Sequence, residues 1–154
     1  MVETTELKVR AATPADASAI AAIYNEGIAD RIATFETEPR SGEQVARWFD
    51  NRHPIVVVEG SEGTVLAFAS SSTYRERECY AGIAEFSVYV ARQHRGKGAG
   101  RLAMSALIDA ATRAGFWKLV SRIFPENRAS LALMVRMGFR QVGTYHRHGV
   151  LDGQ

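Results

Sequence analysis

The chain has 154 residues, of which 46% are hydrophobic and 23% charged, and its formal net charge is +2 at pH 7. This composition is typical of a globular domain, and the charge is too small to indicate nucleic-acid binding. The single cysteine excludes an internal disulfide, and no apolar run approaches the roughly 20 residues of a membrane span. We therefore expect one domain, residues 1–154, in the cytoplasm, without a membrane partner.

The first half of the chain is predicted to hold a strand, two helices and a hairpin. Thr13-Pro14-Ala15-Asp16 is typical of a helix start, with a threonine cap, proline at the first position and an acid in the first turn. Ser41–Gln44 resembles a capping box for a second helix. The predicted elements are a strand at 7–11, a helix with Ile20, Ile23, Tyr24 and Ile28 buried, a helix carrying Val45, Trp48 and Phe49, and a hairpin of 55–59 and 64–71.

The second half alternates strands and helices. The predicted elements are a strand at 80–90, a helix at 101–114 before Gly115, a strand at 118–124, a helix at 127–137 before Gly138, and a strand at 139–146. Packing positions in the longer helix are Leu102, Met104, Ala106, Leu107, Ile108 and Ala111. Early strands followed by alternating elements indicate an α/β domain with a mixed sheet.

A glycine-rich segment between a predicted strand and a helix is the sharpest functional signal. It reads Arg95-Gly96-Lys97-Gly98-Ala99-Gly100, with Arg101 following. Glycines let the backbone approach a ligand closely, and free N–H groups at a helix start bind anions, so the segment is suited to a pyrophosphate. Arg101 stands where a dinucleotide fingerprint needs glycine, and Gly98 where a P-loop needs Ser or Thr. The alternative is a basic surface turn before an ordinary helix.

This segment and the later Pro125–Ser130 and Met137-Gly138-Phe139 resemble the motifs of the GNAT acetyltransferase superfamily. Tyr74–Arg77, Tyr80–Gly82 and Ala84–Val90 further resemble its phosphinothricin and arsinothricin acetyltransferase branch. The resemblance implies a mixed, mostly antiparallel central sheet flanked by helices, with a splayed strand pair that holds acetyl-CoA. The cofactor-binding residues that it implies are Val88, Tyr89, Val90, Arg95, Gly96, Lys97, Gly98, Ala99, Gly100, Arg101, Asn127 and Ser130.

Glu85 is the candidate general base. It lies in an apolar predicted strand just before the glycine segment, and in the branch that this chain resembles the matching carboxylate acts through a water. The alternative is that Glu85 points to solvent on a half-exposed strand. Met134 stands where related enzymes carry a tyrosine or histidine. It cannot donate a proton, so the general acid is unassigned.

Arg75 and Arg77 are the candidate ligands of an anionic substrate head. Being two residues apart, they share a face of an extended segment, and two guanidiniums can bind one oxyanion. Tyr74 and Phe35 would complete this substrate pocket. The alternatives are a solvated charged loop for the arginines and a core position for Phe35. A metal is not expected, because His146 and His148 have no third ligand at suitable spacing.

These observations predict an enzyme that transfers the acetyl group of acetyl-CoA to the amine of a small amino acid with an anionic head. A protein or peptide N-acetyltransferase and a non-catalytic acyl-CoA sensor are the alternatives. A homodimer is expected. Because relatives in the resembled family continue with a further apolar strand, we expect residues 139–146 to form a strand that lacks its usual partner or borrows one from a second subunit.

Overall fold

The computed structural model describes residues 6–31, 33–34, 36–145, 149 and 151, in which a five-stranded sheet is flanked by helices. The elements are β1 (Lys8–Ala11), α1 (Ala17–Asp30), α2 (Gly42–Ala46), β2 (Ile55–Glu59), β3 (Val65–Thr73), β4 (Ile83–Val90), α3 (Ala99–Arg113), β5 (Lys118–Val120) and α4 (Arg128–Arg136). The strands lie in chain order, antiparallel except for the parallel pair β4–β5. The parallel pair requires a crossover, which α3 supplies. The predicted α/β domain with a mixed, mostly antiparallel sheet is confirmed.

Each face of the sheet has its own core. On one face, side chains of the central strands pack against α3 and α4, and on the other they pack against α1 and α2. The alternation of side chains along each strand produces this division. The first core is built around Val56, Val58, Ala69, Phe86, Met104, Leu107 and Met134, and the second around Ile20, Ile23, Val45, Val57 and Phe68.

Two predicted strands are shorter than expected. β4 begins at Ile83 and not at Tyr80, because residues 78–80 form a 3₁₀ turn and the carbonyl of Gly82 accepts a hydrogen bond from Trp117 N at 2.9 Å. β5 ends at Val120 and not at Phe124. There the hydroxyl of Ser121 donates to the carbonyl of Phe86 at 2.8 Å and replaces the next backbone bond. The β4–β5 ladder therefore stops early, and this matters for the candidate site.

The predicted helices form, with shifted starts. Residues 14–16 make a 3₁₀ turn before α1, and Trp48 and Phe49 follow the end of α2. The capping box at Ser41 is confirmed. α3 begins two residues earlier than predicted, inside the glycine segment, and Leu102 is 38% exposed where we expected packing. The prediction for Leu102 is wrong, because the buried stripe of α3 consists of Ala99, Ala103, Met104, Leu107 and Ala111, and Leu102 lies beside this stripe.

Residues 139–145, the described part of the strand predicted at 139–146, form no strand within this chain, and a strand completed by a second subunit stays a prediction; His146 lies outside the described residues. Phe139 instead closes α4, since its N–H donates to the carbonyl of Met134 at 2.9 Å and its ring packs on Phe86 at 5.0 Å. Val142 and Tyr145 are 89% and 66% exposed. An alternating sequence forms a strand only when a neighbouring strand satisfies its backbone, and this stretch has none within the described chain.

Hydrogen bonds to Asp16 connect β1 to the start of α1, and replacing this residue should destabilise the fold. Both oxygens accept from Arg10 at 2.8 Å, and one also accepts from Thr13 N. The hydrogen bond from Arg10 lowers the pKa of Asp16 below its ordinary value of 3.8. We expect Asp16→Ala to reduce the free energy of unfolding in urea by about 1.5–3 kcal/mol at pH 7, the range for charged hydrogen bonds.

The pH dependence of that difference follows from the sign of the shift. A carboxyl whose pKa is lowered on folding stabilises the protein above its ordinary pKa, and this contribution is lost as the pH falls through the folded value. The difference between the parent and Asp16→Ala should therefore shrink below about pH 3.8. Asp109→Ala, at an exposed position of α3, is the control. Equal stability of all three proteins at pH 7 would contradict the role assigned to Asp16.

Candidate active site

The glycine segment forms a tight turn that leads directly into α3. Gly96 and Gly98 have φ angles of 80° and 87°, in the left-handed region that favours glycine, and Gly98 is the residue before the first helical one. An added Cβ at either position would meet nothing within 4 Å, so both face open space. Lys97 and Arg101 are exposed and form no ion pair with a described residue. Free N–H groups, open space and two unpaired cations suit an anionic group.

Gly100 is glycine for a different reason. It is buried in the first turn of α3, where an added Cβ would lie 3.2 Å from Leu133 and 3.4 Å from Val90. The missing side chain lets α3 pack closely against the end of β4 and against α4. Gly100 therefore shapes the site through packing.

Arg95 points away from the turn. Its guanidinium donates to Asp30 at 2.7 Å and to the carbonyl of Val90 at 3.3 Å, and Arg92 donates to the other oxygen of Asp30 at 2.8 Å. Burial disfavours the ionised form of Asp30, but the hydrogen bonds from the two arginines outweigh it and lower its pKa. Arg95 thus ties the glycine segment to the end of α1, and its charge is already paired.

The edge of β4 that faces β5 is open beyond Phe86. β5 pairs with residues 83–85, and Ser121 covers the carbonyl of Phe86. Because backbone groups alternate in direction and Ala91 N bonds Leu66 on the β3 side, the backbones of Val88 and Val90 point to the open side. This is the splayed strand pair expected from the sequence. Its edge can pair with an extended ligand chain, as a missing strand would.

Glu85 lies on the sheet face opposite to α3 and α4. It belongs there to a row of four polar side chains, which we call the polar strip. Ser70 is paired with Ser87 and Ser72 with Glu85, so these four side chains share the face that α1 and α2 cover only farther along. The side chain of Glu85 is 27% exposed and accepts from Arg122 Nε at 3.1 Å. Glu85 is therefore neither in the core nor fully solvated. A half-buried carboxylate beside an open strand edge can exchange protons with a bound amine through water.

An aromatic cluster closes one end of this strip. Tyr89 stacks on Phe68 with centroids 5.4 Å apart and meets the edge of Tyr24 at 5.1 Å, while Trp48 packs beside Tyr24. Burial raises the pKa of both tyrosines. Their phenols are therefore neutral at physiological pH.

Arg75 and Arg77, together with the acidic Glu76 between them, line one cavity of about 250 Å³ at the other end of the strip. Ile83, two residues before Glu85 on β4, also lines it, and two residues of strand span about 7 Å. Tyr74 does not line the cavity, but its ring lies 4.4 Å from the guanidinium of Arg75. The structure thus brings the two predicted arginines together and gives Tyr74 a supporting position.

Sequence reasoning missed three residues of this region. Arg52 and His53 precede β2 and line the same cavity, and Arg122 pairs with Glu85. His53 Nδ1 lies 2.5 Å from Asp50, whose pKa is lowered to about 2; burial opposes this shift, and hydrogen bonds from His53 outweigh it. No pattern in the sequence indicated these three residues, because their positions in the site depend on the pairing of strands that are distant in the chain.

Of the predicted positions at α4, Asn127 caps the start of the helix and Met134 lies in the core. Asn127 is the N-cap of α4, and its side chain accepts from Ser130 N at 3.3 Å. Both residues are half-buried. Met134 is 6% exposed and packs in the core with Phe86 and Met104. No proton donor stands at this position, as the sequence indicated.

Some predicted positions are not part of the described structure. Phe35, His146 and His148 lie outside the described residues. Within those residues, no group of three or more histidine, cysteine or acidic side chains is arranged to hold a metal ion. None of the described helices is both long and apolar enough to cross a membrane.

A glycine turn suited to an anion at the start of α3, an open strand edge and a carboxylate beside it fit a site for an acyl-CoA-dependent transferase. The sequence model of the Acetyltransferase (GNAT) family matches residues 21–139. The chain belongs to this family and is an acetyltransferase. The family assignment made from the motifs is confirmed.

Relatives and solved structures agree with this assignment. The chain is 37% identical over 150 residues to the L-methionine sulfoximine/L-methionine sulfone acetyltransferase of Pseudomonas aeruginosa, covering 95% of this chain and 87% of the relative. It resembles the GNAT superfamily phosphinothricin acetyltransferase of Sinorhizobium meliloti in complex with acetyl-CoA, with a TM-score of 0.83, 31% identity, and 94% and 83% of the two chains covered. For the ribosomal-protein-alanine N-acetyltransferase of Brucella melitensis the TM-score is 0.89, the identity 34%, and the coverage 96% and 93%.

Proposed function

We propose that this enzyme acetylates the α-amine of a small amino acid with an anionic head, such as phosphinothricin or arsinothricin, or with the uncharged tetrahedral head of methionine sulfoximine. The main support for this proposal is that the polar strip with Glu85 runs from the open edge of β4 to the cavity lined by Arg75 and Arg77. An amine placed near Glu85 would put the head of such a molecule in the cavity. The name of the Sinorhizobium protein, a phosphinothricin acetyltransferase, supports an anionic head, and that of the Pseudomonas protein supports N-acetylation of a small amino acid with an uncharged tetrahedral head.

In the proposed reaction, acetyl-CoA lies with its pyrophosphate at residues 96–101 and its pantetheine arm along Val88 and Val90. Asn127 and Ser130 would face the arm from the start of α4. A backbone N–H of β4 would polarise the thioester carbonyl, where negative charge develops in the transition state. Glu85 would remove a proton from the ammonium through a water. With Met134 in the core, solvent would protonate the departing thiolate.

A panel assay tests the substrate class. CoA thiol release is measured with L-phosphinothricin, arsinothricin, L-methionine sulfoximine, L-glutamate and a peptide with an N-terminal alanine. We expect turnover with the first three and little with the peptide. Peptide turnover alone would favour a protein N-acetyltransferase, the alternative suggested by the resemblance to the Brucella enzyme. Such an enzyme needs an open groove, whereas the strip here ends in a cavity lined by arginines.

Arg77→Ala should weaken the binding of an anionic substrate. Arg77 lines the cavity, and no described residue forms an ion pair with it. Losing one charged hydrogen-bond donor should raise KM for L-phosphinothricin by about 10–100-fold. KM for acetyl-CoA should stay the same, because the glycine segment lies elsewhere. Arg113→Ala, at an exposed position of α3, is the control. An unchanged KM for the amino acid in Arg77→Ala would show that the arginine loop is merely solvated.

We further propose that the enzyme works as a homodimer. A subunit contact would cover exposed apolar side chains such as Trp117 and Val135, which are 71% and 73% exposed. Sedimentation equilibrium measures the mass directly. A monomer at micromolar concentration would contradict this proposal without affecting the catalytic one.

A further inference from the structure

Glu85 and Arg122 form an ion pair on the polar strip. Arg122 Nε lies 3.1 Å from Glu85 Oε1. Val120 is paired with Glu85 in the parallel β4–β5 register, so Arg122, two residues on, projects from the same face. The bond from the Ser121 hydroxyl to the carbonyl of Phe86 holds this segment against β4. The backbone that carries Arg122 is therefore fixed beside the proposed base.

The pair is complementary to the two charges of an α-amino acid. In such a molecule the ammonium and the carboxylate are attached to one carbon, so their polar atoms are only about 3 Å apart. A group that faces the ammonium must therefore have the carboxylate close by. At Glu85 the position next to the carboxylate is occupied by a guanidinium, which binds carboxylates with two parallel hydrogen bonds.

We propose that Arg122 binds the α-carboxylate of the acceptor and makes the enzyme selective for α-amino acids over simple amines. The inference rests on the proposed function, in which Glu85 faces the amine. On binding, the ammonium faces Glu85, the carboxylate faces Arg122, and the side chain extends along β4 towards Ile83 and the arginine-lined cavity. Arg122 is 65% exposed, so its pair with Glu85 is weak and the substrate can separate the two.

The test compares two compounds on the parent enzyme and its variants. L-phosphinothricin and 3-aminopropyl(methyl)phosphinic acid share a primary amine and a phosphinate head, and only the first has an α-carboxylate. Each is titrated into the parent enzyme and into Arg122→Ala in the presence of CoA, by calorimetry, and kcat/KM is measured with acetyl-CoA. Arg136→Ala, exposed at the end of α4, is the control.

The parent should bind L-phosphinothricin about 10–100-fold more tightly than the decarboxylated compound, because one charged contact is lost. Arg122→Ala should bind the two compounds within about threefold of each other, while Arg122→Lys keeps part of the preference. Arg136→Ala should retain all of it. An equal loss for both compounds in Arg122→Ala would overturn the inference and leave Arg122 as a positioning residue for Glu85. An unchanged preference would also overturn it.

The binding measurement separates this inference from the proposed mechanism. If Glu85→Gln acetylates as fast as the parent, the assigned base is wrong, yet a carboxylate preference that disappears in Arg122→Ala still supports the role of Arg122. If the parent binds neither compound while a peptide is acetylated, both the inference and the substrate class are overturned.

Discussion

Glu85→Gln is expected to lower kcat for acetyl transfer by about 10²–10⁴-fold, the range typical for loss of a general base. Glutamine has the same size, and its amide oxygen can still accept the 3.1 Å hydrogen bond from Arg122, but it cannot take up a proton. The variant should therefore fold normally and bind CoA with nearly the parent affinity. The measurement is steady-state thiol release at saturating substrate, together with calorimetric titration of CoA.

The control for this prediction is Glu43→Gln, at an exposed position in the first turn of α2. It makes the same change of charge away from the polar strip and should leave kcat unaltered. If Glu85→Gln retains the parent rate at pH 7, Glu85 is an ordinary strand residue. A simultaneous loss of CoA affinity would instead mean that Glu85 supports the cofactor site.

Gly98→Val is expected to abolish detectable CoA binding. Gly98 has φ 87° immediately before α3, where a β-branched residue is strained. Strain of about 1–3 kcal/mol would be relieved by moving the turn, which alone weakens binding by about 10–100-fold. Since no protein atom lies within 4 Å of an added Cβ, the side chain would also occupy the open space in front of the free N–H groups. Calorimetry with CoA measures the loss.

Gly115→Val is the matched control for strain. Gly115 also has a positive φ, 92°, and an added Cβ there meets nothing within 4 Å. It lies at the far end of α3, whose 15 residues span about 22 Å. This variant should lose stability but keep CoA affinity. Normal CoA binding by Gly98→Val would remove the cofactor assignment from residues 96–101, and loss of binding by both variants would attribute the effect to global strain.

Signals from neighbouring residues predicted most of the secondary structure. The errors lie in elements whose length depends on contacts with residues that are distant in the chain. The cap at Ser41, the stop at Gly138 and the stripe of Ile20, Ile23 and Ile28 need only neighbouring residues, and each is confirmed. Strand lengths are different, because a strand continues only while another strand bonds to it. β5 stops where Ser121 takes over the bond to Phe86, and residues 139–145 have no partner strand in the described chain.

The sequence by itself identified the family through the resemblance of its motifs, and it located the glycine turn before α3, because both depend on residues that are close together in the chain. Only the tertiary structure decided which charged side chains form ion pairs or line the same cavity. It paired Arg95 with Asp30, joined Arg52 to the cavity of Arg75 and Arg77, and placed Arg122 against Glu85. These contacts connect residues that are distant in the chain, and their geometry depends on strand register. A one-residue shift of β5 would turn Arg122 to the opposite face of the sheet.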